Sequence, residues 1–185
     1  MGYTLKLLGI GKRSDDGIDV RVHPCFVRND DPLASVKDSF NAVHLVGDAV
    51  GDIMLYGRGA GALPTGSAIV SDIIFAAKHN ECYYAPFKNN EKGNKETKFV
   101  SDFITKYYVR MFVKDEVGVL NKISGLFSKG GISIKEVKQM TSGDKLAEII
   151  VITHPAKESD MQKTVEKISA LSEVVGIKGF IRIEE

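Results

Sequence analysis

Apolar and polar residues alternate along Ile18 to His23, where Ile18, Val20 and Val22 are separated by Asp19, Arg21 and His23. A period of two marks a half-buried strand, so Ile18 to Val27 is predicted as one. Tyr3 to Lys12 is also β-rich, and Arg13-Ser14-Asp15-Asp16-Gly17 between the two carries an Asp-Gly turn signal. The pair is predicted as an antiparallel hairpin. Asn29-Asp30-Asp31-Pro32 then turns the chain, Pro32 to Ser39 is predicted as a short helix, and Asn41 to Gly47 and Ile53 to Tyr56 as two strands around Asp48-Ala49-Val50-Gly51-Asp52. From Ala62 to Lys78 the period changes. Ile69, Ile73, Ala76 and Ala77 fall at helical spacing, in a helix that starts from the glycine loop Gly57-Arg58-Gly59-Ala60-Gly61.

The chain between residues 81 and 100 breaks this order. Tyr83, Tyr84 and Phe87 precede the polar run Lys88 to Glu96, which is predicted as a linker. Beyond it, Tyr107 to Val113 is a predicted strand, followed by a helix whose Leu120, Ile123, Leu126 and Phe127 share one face. Lys129-Gly130-Gly131 supplies its C-terminal stop. Ile132 to Met140 and Leu146 to Thr153 are strands joined across Ser142-Gly143-Asp144. Ser159 to Leu171 is a helix with Ser159 as the expected N-cap, and Val174 to Ile183 is the last strand. The order β-α-β-β-α-β is the split βαβ, ferredoxin-like arrangement. The chain is thus expected to be α+β, with an antiparallel-sheet part over residues 1–80, a linker over 81–100 and a βαββαβ part over 101–185.

Composition narrows the possible partners. The 185 residues carry a formal net charge of +1, with 43% hydrophobic and 26% charged residues. Lys and Arg are scattered, which gives no electrostatic reason for a nucleic-acid or anionic-membrane partner. Apolar runs such as Ile149-Ile150-Val151-Ile152 are strand-length and far too short to span a bilayer, and no signal peptide is read at the start. Two cysteines, Cys25 and Cys82, and four histidines form no metal-ligand cluster. A reducing cytoplasm is the expected compartment. His23 and His44 lie on strands with no carboxylate or nucleophile at motif spacing and are read as structural, and Asp48 and Asp52 as turn formers. No catalytic residue and no metal site is assigned.

The second part carries more than its fold. Phe112-Val113-Lys114-Asp115-Glu116-Val117-Gly118-Val119-Leu120-Asn121-Lys122-Ile123, followed by Gly131-Ile132-Ser133-Ile134, resembles the first strand, helix start and second-strand entry of ACT domains. The resemblance implies an amino-acid effector site at Lys114, Asp115, Val117, Gly118, Val119, Leu120 and Asn121. These would face Ile132, Ser133 and Ile134 of a second copy where two sheets join side by side. Backbone N–H groups at the helix start suit a carboxylate, and Asp115 an amino group. Two plainer readings stay open: Asp115 as a helix N-cap, and Gly118 as a packing residue.

The first part holds four motifs in order: Val22-His23-Pro24, Asp31-Pro32-Leu33-Ala34-Ser35-Val36, Phe40-Asn41-Ala42-Val43, and Gly57-Arg58-Gly59-Ala60-Gly61-Ala62-Leu63-Pro64-Thr65. Their succession resembles the late catalytic region of the homoserine dehydrogenase family. Asp31 replaces the family's usual His and is read as a tolerated turn residue. The family implies an NAD- or NADP-dependent oxidoreductase that interconverts aspartate semialdehyde and homoserine, in threonine and methionine biosynthesis. Its nucleotide-binding domain and catalytic Asp/Lys region are not recognised here. The chain is therefore expected to be a C-terminal portion, inactive by itself, with no cofactor bound tightly. Gly57, Gly59, Ala60, Gly61 and Thr65 are the expected cofactor contacts of the intact enzyme, and a plain helix-start turn is the open alternative. Gly57-Arg58-Gly59 is not read as a dinucleotide fingerprint, because no second parallel strand follows the helix. Threonine is the implied effector, and a homodimer or higher homo-oligomer through the ACT sheets and the residue 1–60 sheet the implied assembly. A free-standing amino-acid-binding regulator and an assembly-only module are the rival readings.

Overall fold

The computed structural model describes residues 2–79, 98–143 and 145–184. Its elements are β1 (Tyr3–Ser14), β2 (Gly17–Arg28), a 3-10 turn (Pro32–Ser35), β3 (Phe40–Gly47), β4 (Gly51–Arg58), α1 (Ala62–Lys78), β5 (Ile104–Lys114), α2 (Val119–Lys129), β6 (Ile134–Thr141), β7 (Leu146–Thr153), β8 (Ala156–Lys157), α3 (Glu158–Ser169) and β9 (Val174–Glu184). The protein is α+β. Tyr83, Tyr84, Phe87 and most of the expected linker lie outside the described residues.

Two compact units form, Met1–Arg28 with Thr97–Glu185, and Asn29–Glu96. This cut differs from the division read from the sequence pattern, which kept the hairpin with residues 29–80. In the first unit the sheet runs β1-β2-β9-β5-β7-β6, with β8 against β5. The segment β9-β5-β7-β6 is the antiparallel sheet of a ferredoxin-like βαββαβ fold. Strand β9 would otherwise leave an edge of unpaired N–H and C=O groups. Strand β2 covers it in parallel, pairing Cys25 with Arg182, Phe26 with Ile183 and Val27 with Glu184. Residues 98–100 hold the other end of β2, where Ile18 N–H donates to Lys98 O at 2.8 Å and Val100 N–H to Ile18 O at 2.9 Å.

Odd-numbered residues of β5 from Thr105 to Val113 are buried, and the even-numbered ones between them are half-buried. The buried set, Tyr107, Val109, Met111 and Val113, packs with Ala147, Ile149 and Val151 of β7. Val119, Ile123 and Phe127 of α2 and Met161 and Ile168 of α3 complete the core. Both helices therefore cover one face of the sheet, and each large aliphatic or aromatic side chain buried there contributes roughly 1.5–3 kcal/mol. Cys25 and Val27 of β2 are as buried as this core. Helix α3 begins one residue before the expected Ser159, and no side chain caps it at Lys157. Ser159 instead donates from its N–H (2.9 Å) and hydroxyl (3.0 Å) to the carboxylate of Asp102. That contact brings a residue 57 positions away to the helix start, which no local pattern announces.

In the second unit, β3 and β4 form a two-stranded antiparallel hairpin. The short helix expected over Pro32 to Ser39 is a single 3-10 turn ending at Ser35. Asp31 caps it, its Oδ1 accepting from Leu33 N–H at 2.7 Å, so the residue that departs from the family pattern works as a turn former. Helix α1 spans the predicted Ala62–Lys78, with no buried residue and with Leu63, Ile69, Val70, Ile73, Ile74 and Phe75 exposed. No described helix is long and apolar enough to cross a membrane.

Candidate functional site

Two places suit ligand recognition, one in each unit. In the first, β5 ends at Lys114, whose N–H donates to Glu173 O at 2.8 Å, and Asp115 N–H donates to Lys145 O at 2.9 Å. The chain then turns through Glu116 and Val117 to Gly118, the N-cap of α2, which adopts φ 91°, ψ −9°. That left-handed backbone explains the glycine. A Cβ there would meet nothing within 4 Å, so the packing role weighed for Gly118 is not what the fold requires. Nor is Asp115 the N-cap: no side chain caps α2. The first turn of the helix thus presents backbone N–H groups next to exposed Lys114, Asp115, Val117, Leu120 and Asn121. Val119 and Ile132 point inward, 4% exposed each, and belong to the core. Ser133 is exposed and its carbonyl accepts from His154 N–H at 2.9 Å, while Ile134 opens β6.

Beside this loop, Lys122 pairs with Glu173. The lysine's hydrogen bond holds the Glu173 carboxyl below the ordinary glutamate range. The site is amphipathic: a backbone donor patch, the exposed carboxylates of Asp115 and Glu116, and the side chains of Val117 and Leu120.

In the second unit, the glycine loop leaves β4 and enters α1. Gly61 is the N-cap with φ 125°, no side chain caps the helix, and Thr65 N–H donates to Gly61 O at 3.1 Å. Gly57, Gly59, Ala60, Gly61 and Thr65 are all exposed. The set offers backbone donors, a hydroxyl and no obstructing charge other than Arg58, a composition that fits a polar or anionic group of a nucleotide cofactor. Strands β3 and β4 pair antiparallel with each other, and the stretch that follows α1 from residue 80 lies outside the described residues.

The two histidines are engaged structurally. His23 Nδ1 lies 3.0 Å from Cys25 Sγ and 3.3 Å from Pro24 O, and the ring stacks on Phe103 at 6.0 Å. Burial pushes its pKa down. His44 Nε2 lies 3.5 Å from Asp52 Oδ1 across the β3–β4 hairpin. Asp48 accepts from Ala49 N–H at 2.8 Å, as a turn residue does. No group of three or more metal-ligating side chains occurs among the described residues.

Sequence reading did not find the polar network on the helix side of the first unit. Glu158, 6% exposed, accepts from Tyr107 Oη at 2.8 Å, Gln162 Nε2 at 2.7 Å and Arg182 Nε at 2.9 Å. Phe103 lies under the guanidinium groups of Arg21 (4.0 Å) and Arg182 (5.8 Å), and Arg21 donates to Glu184 at 2.9 Å. A signal existed only in hindsight of topology: Arg21 and Arg182 stand on neighbouring parallel strands.

The fold thus pairs an antiparallel hairpin, whose glycine loop opens a helix, with a βαββαβ unit whose first helix has a bare N-terminus. Residues 1–74 match the homoserine dehydrogenase family model, and residues 107–173 the ACT domain model. The homoserine dehydrogenase of Bacillus subtilis is 35% identical over 192 residues, covering 100% of this chain and 43% of the relative. That of Corynebacterium glutamicum is 38% identical over 188 residues, covering 99% of this chain and 42% of the relative. The crystal structure of a homoserine dehydrogenase from Thiobacillus denitrificans superposes with a TM-score of 0.83 at 32% identity, over 100% of this chain and 43% of that one. The chain thus joins a region similar to homoserine dehydrogenases to a region that matches the ACT domain, and it spans less than half the length of the relatives it matches.

Proposed function

We propose that the chain is the C-terminal portion of an NAD- or NADP-dependent homoserine dehydrogenase, the cytoplasmic oxidoreductase of threonine and methionine biosynthesis that interconverts aspartate semialdehyde and homoserine. The observation that carries this is the homoserine dehydrogenase match over residues 1–74, which includes the exposed glycine loop. Residues 1–80 belong to the catalytic and dimerisation region of that enzyme, and 101–185 form its regulatory domain. The cofactor, when bound, supplies the hydride acceptor or donor. Gly57, Gly59, Ala60, Gly61 and Thr65 contact it through their exposed backbone and the Thr65 hydroxyl, orienting it without taking or giving a proton. The 185-residue chain is inactive alone and binds neither NAD nor NADP tightly.

In the regulatory domain, Lys114, Asp115, Val117, Gly118, Val119, Leu120 and Asn121 receive a free amino acid, threonine foremost. The N–H groups at the start of α2 hold its carboxylate and Asp115 its amino group. Ile132, Ser133 and Ile134 of a second copy close the site. Support for such a pairing comes from the sheet: β2 occupies the edge of β9, so the βαββαβ unit has β6 as its open edge. A two-fold antiparallel pairing of β6 strands centred on Val137 sets Glu136 opposite Lys138 and Ile134 opposite Met140, matching charge with charge and apolar with apolar.

Thermal unfolding of the chain against a panel of free amino acids tests the sensing role. Threonine at about 100 times its dissociation constant stabilises the folded form by roughly 2.7 kcal/mol. A threonine-selective rise in midpoint, lost in Asp115→Ala, is the expected result. A midpoint unmoved by every amino acid leaves the assembly-only reading in its place.

A further inference from the structure

The three glycines of Gly57-Arg58-Gly59-Ala60-Gly61 do not share one cause. Gly61 needs its positive φ of 125°. Gly59 does not have a positive φ, yet a Cβ there would fall inside the side-chain amide of Asn41, overlapping Nδ2 and standing 2.7 Å from Cγ. The loop is also fastened to the same stretch of β3 by its neighbours. Gly59 N–H donates to Ser39 O at 2.9 Å, and Arg58 reaches Ser39 Oγ at 3.5 Å while its guanidinium lies 4.9 Å over the Phe40 ring. Phe40 in turn stacks on Tyr56 at 4.9 Å with an interplanar angle of 2°, and Asn41 is the cross-strand partner of Gly57. Ser39, Phe40 and Asn41 are therefore the bed on which the loop leaves β4.

Of these contacts the Asn41 one selects the residue type opposite it. The main-chain bond from Gly59 to Ser39 would form with any residue, and the Arg58 contacts act one position earlier. The amide of Asn41, the far end of an exposed side chain, occupies the volume that a side chain at position 59 would need, and it has to swing away from the loop to admit one.

We propose that Asn41 is a positioning residue for the Gly57–Gly61 loop: its amide fills the space beside Gly59 and so fixes the path along which the Gly59, Ala60 and Gly61 backbone meets the cofactor. This rests on the reading of the loop as a cofactor contact. It differs from the usual explanation of a glycine in such a loop, in which the missing side chain lets a phosphate approach. The two explanations part when Asn41 is shortened. If Asn41 is the obstacle, a methyl at position 59 is tolerated once the amide is gone, because the Asn41 Cβ would stand 3.4 Å from it. If the ligand is the obstacle, the methyl is harmful whatever stands at position 41.

The test uses the full-length dehydrogenase carrying this chain, with steady-state kinetics in the nicotinamide cofactor and a thermal midpoint for each variant. Gly59→Ala is expected to raise the cofactor KM about tenfold with kcat within about twofold, and Asn41→Ala to raise it about threefold. Asn41→Ala/Gly59→Ala is expected to return to within about threefold of the parent, below Gly59→Ala alone. A double variant as poor as Gly59→Ala overturns the proposal and leaves the loop a cofactor contact. A cofactor KM that Gly59→Ala does not move, alongside a lowered thermal midpoint, removes the cofactor reading itself, and the proposal with it.

Discussion

Replacing Glu158 by Gln probes the polar network that sequence reading missed, and its cost follows from the geometry. Glu158 is 6% exposed and Tyr107 is fully buried, while the Arg182 side chain keeps 20% of its exposure. Removing one partner of a buried ion pair costs about 3–5 kcal/mol, because the other charge stays behind. Arg182 can regain some water, so the lower end applies and Glu158→Gln is expected to cost about 3 kcal/mol. Tyr107→Phe deletes a single 2.8 Å hydrogen bond to a carboxylate. Hydrogen bonds to charged groups are worth about 1.5–3 kcal/mol, and with Gln162 and Arg182 still in place about 2 kcal/mol is expected.

The double variant separates a network from a list of contacts. Once the carboxylate is gone, the Tyr107 hydroxyl no longer meets a charge, so its further loss costs less. The pair should fall short of additivity by about 1 kcal/mol. Equilibrium unfolding in urea, followed by circular dichroism with m compared across variants, gives each value. For a unit of this size, Glu158→Gln alone should lower the thermal midpoint by roughly 10–20 °C. A loss under about 1 kcal/mol for Glu158→Gln, or strict additivity in the cycle, refutes the assignment of these side chains to one buried network.

Three further outcomes are expected. Burial alone would raise the Glu158 carboxyl, but hydrogen bonds from Arg182, Gln162 and Tyr107 outweigh it and hold the group below its ordinary 4.5. Its contribution to stability is thus complete above that value and is lost as pH falls through the depressed folded-state value; the acid limb of a stability–pH profile should flatten in Glu158→Gln. Burial pushes the Cys25 thiol up to about 11, so in a Cys82→Ser background alkylation at neutral pH should track unfolding rather than occur in the folded chain. A reaction as fast as that of a free thiol would contradict the buried placement. Finally, Gly118 and Gly125 both have open space where a Cβ would go, but only Gly118 has a positive φ. Gly118→Ala should cost about 1–2 kcal/mol and Gly125→Ala, inside α2, should gain about 0.5–1 kcal/mol, both read by urea unfolding.

Elements with a local cause were legible in the sequence. Helix α1 and strand β7 have the expected bounds, because their periodicity starts and stops at Gly61, Gly143 and Pro155. Helix α2 ends where Gly130 and Gly131 require it, and the hairpin β1–β2 closes through Asp15-Asp16-Gly17. What escaped has its cause far away in the chain. The N-terminus of α3 is held by Asp102 rather than by Ser159, the short β8 exists because Ile104 and Thr105 pair with it, and β2 pairs with a strand that begins at Val174. A parallel contact of three residue pairs leaves no mark in hydrophobic period, since Cys25 and Val27 read the same whether a strand is an edge or interior.

The same pairing changes what the two halves can mean for each other. The hairpin that carries Val22-His23-Pro24, part of the dehydrogenase-like sequence, lies in one hydrogen-bonded sheet with the strands of the ACT domain. Its inward side chains, Cys25 and Val27, are buried as completely as Val109 of β5. Arg21 joins it to Glu184, and Phe103 is shared by Arg21 and Arg182. A sheet deforms by twisting its strands together, and packed interiors shift between discrete arrangements rather than bending freely. A change in the strands that frame the α2 loop therefore has a covalent and hydrogen-bonded route to β2, through β5 and β9. A ligand can bias two arrangements only by its difference in affinity between them, and the continuity of this sheet ties any rearrangement around the α2 loop to the position of β2, a strand within the region matched by the dehydrogenase model.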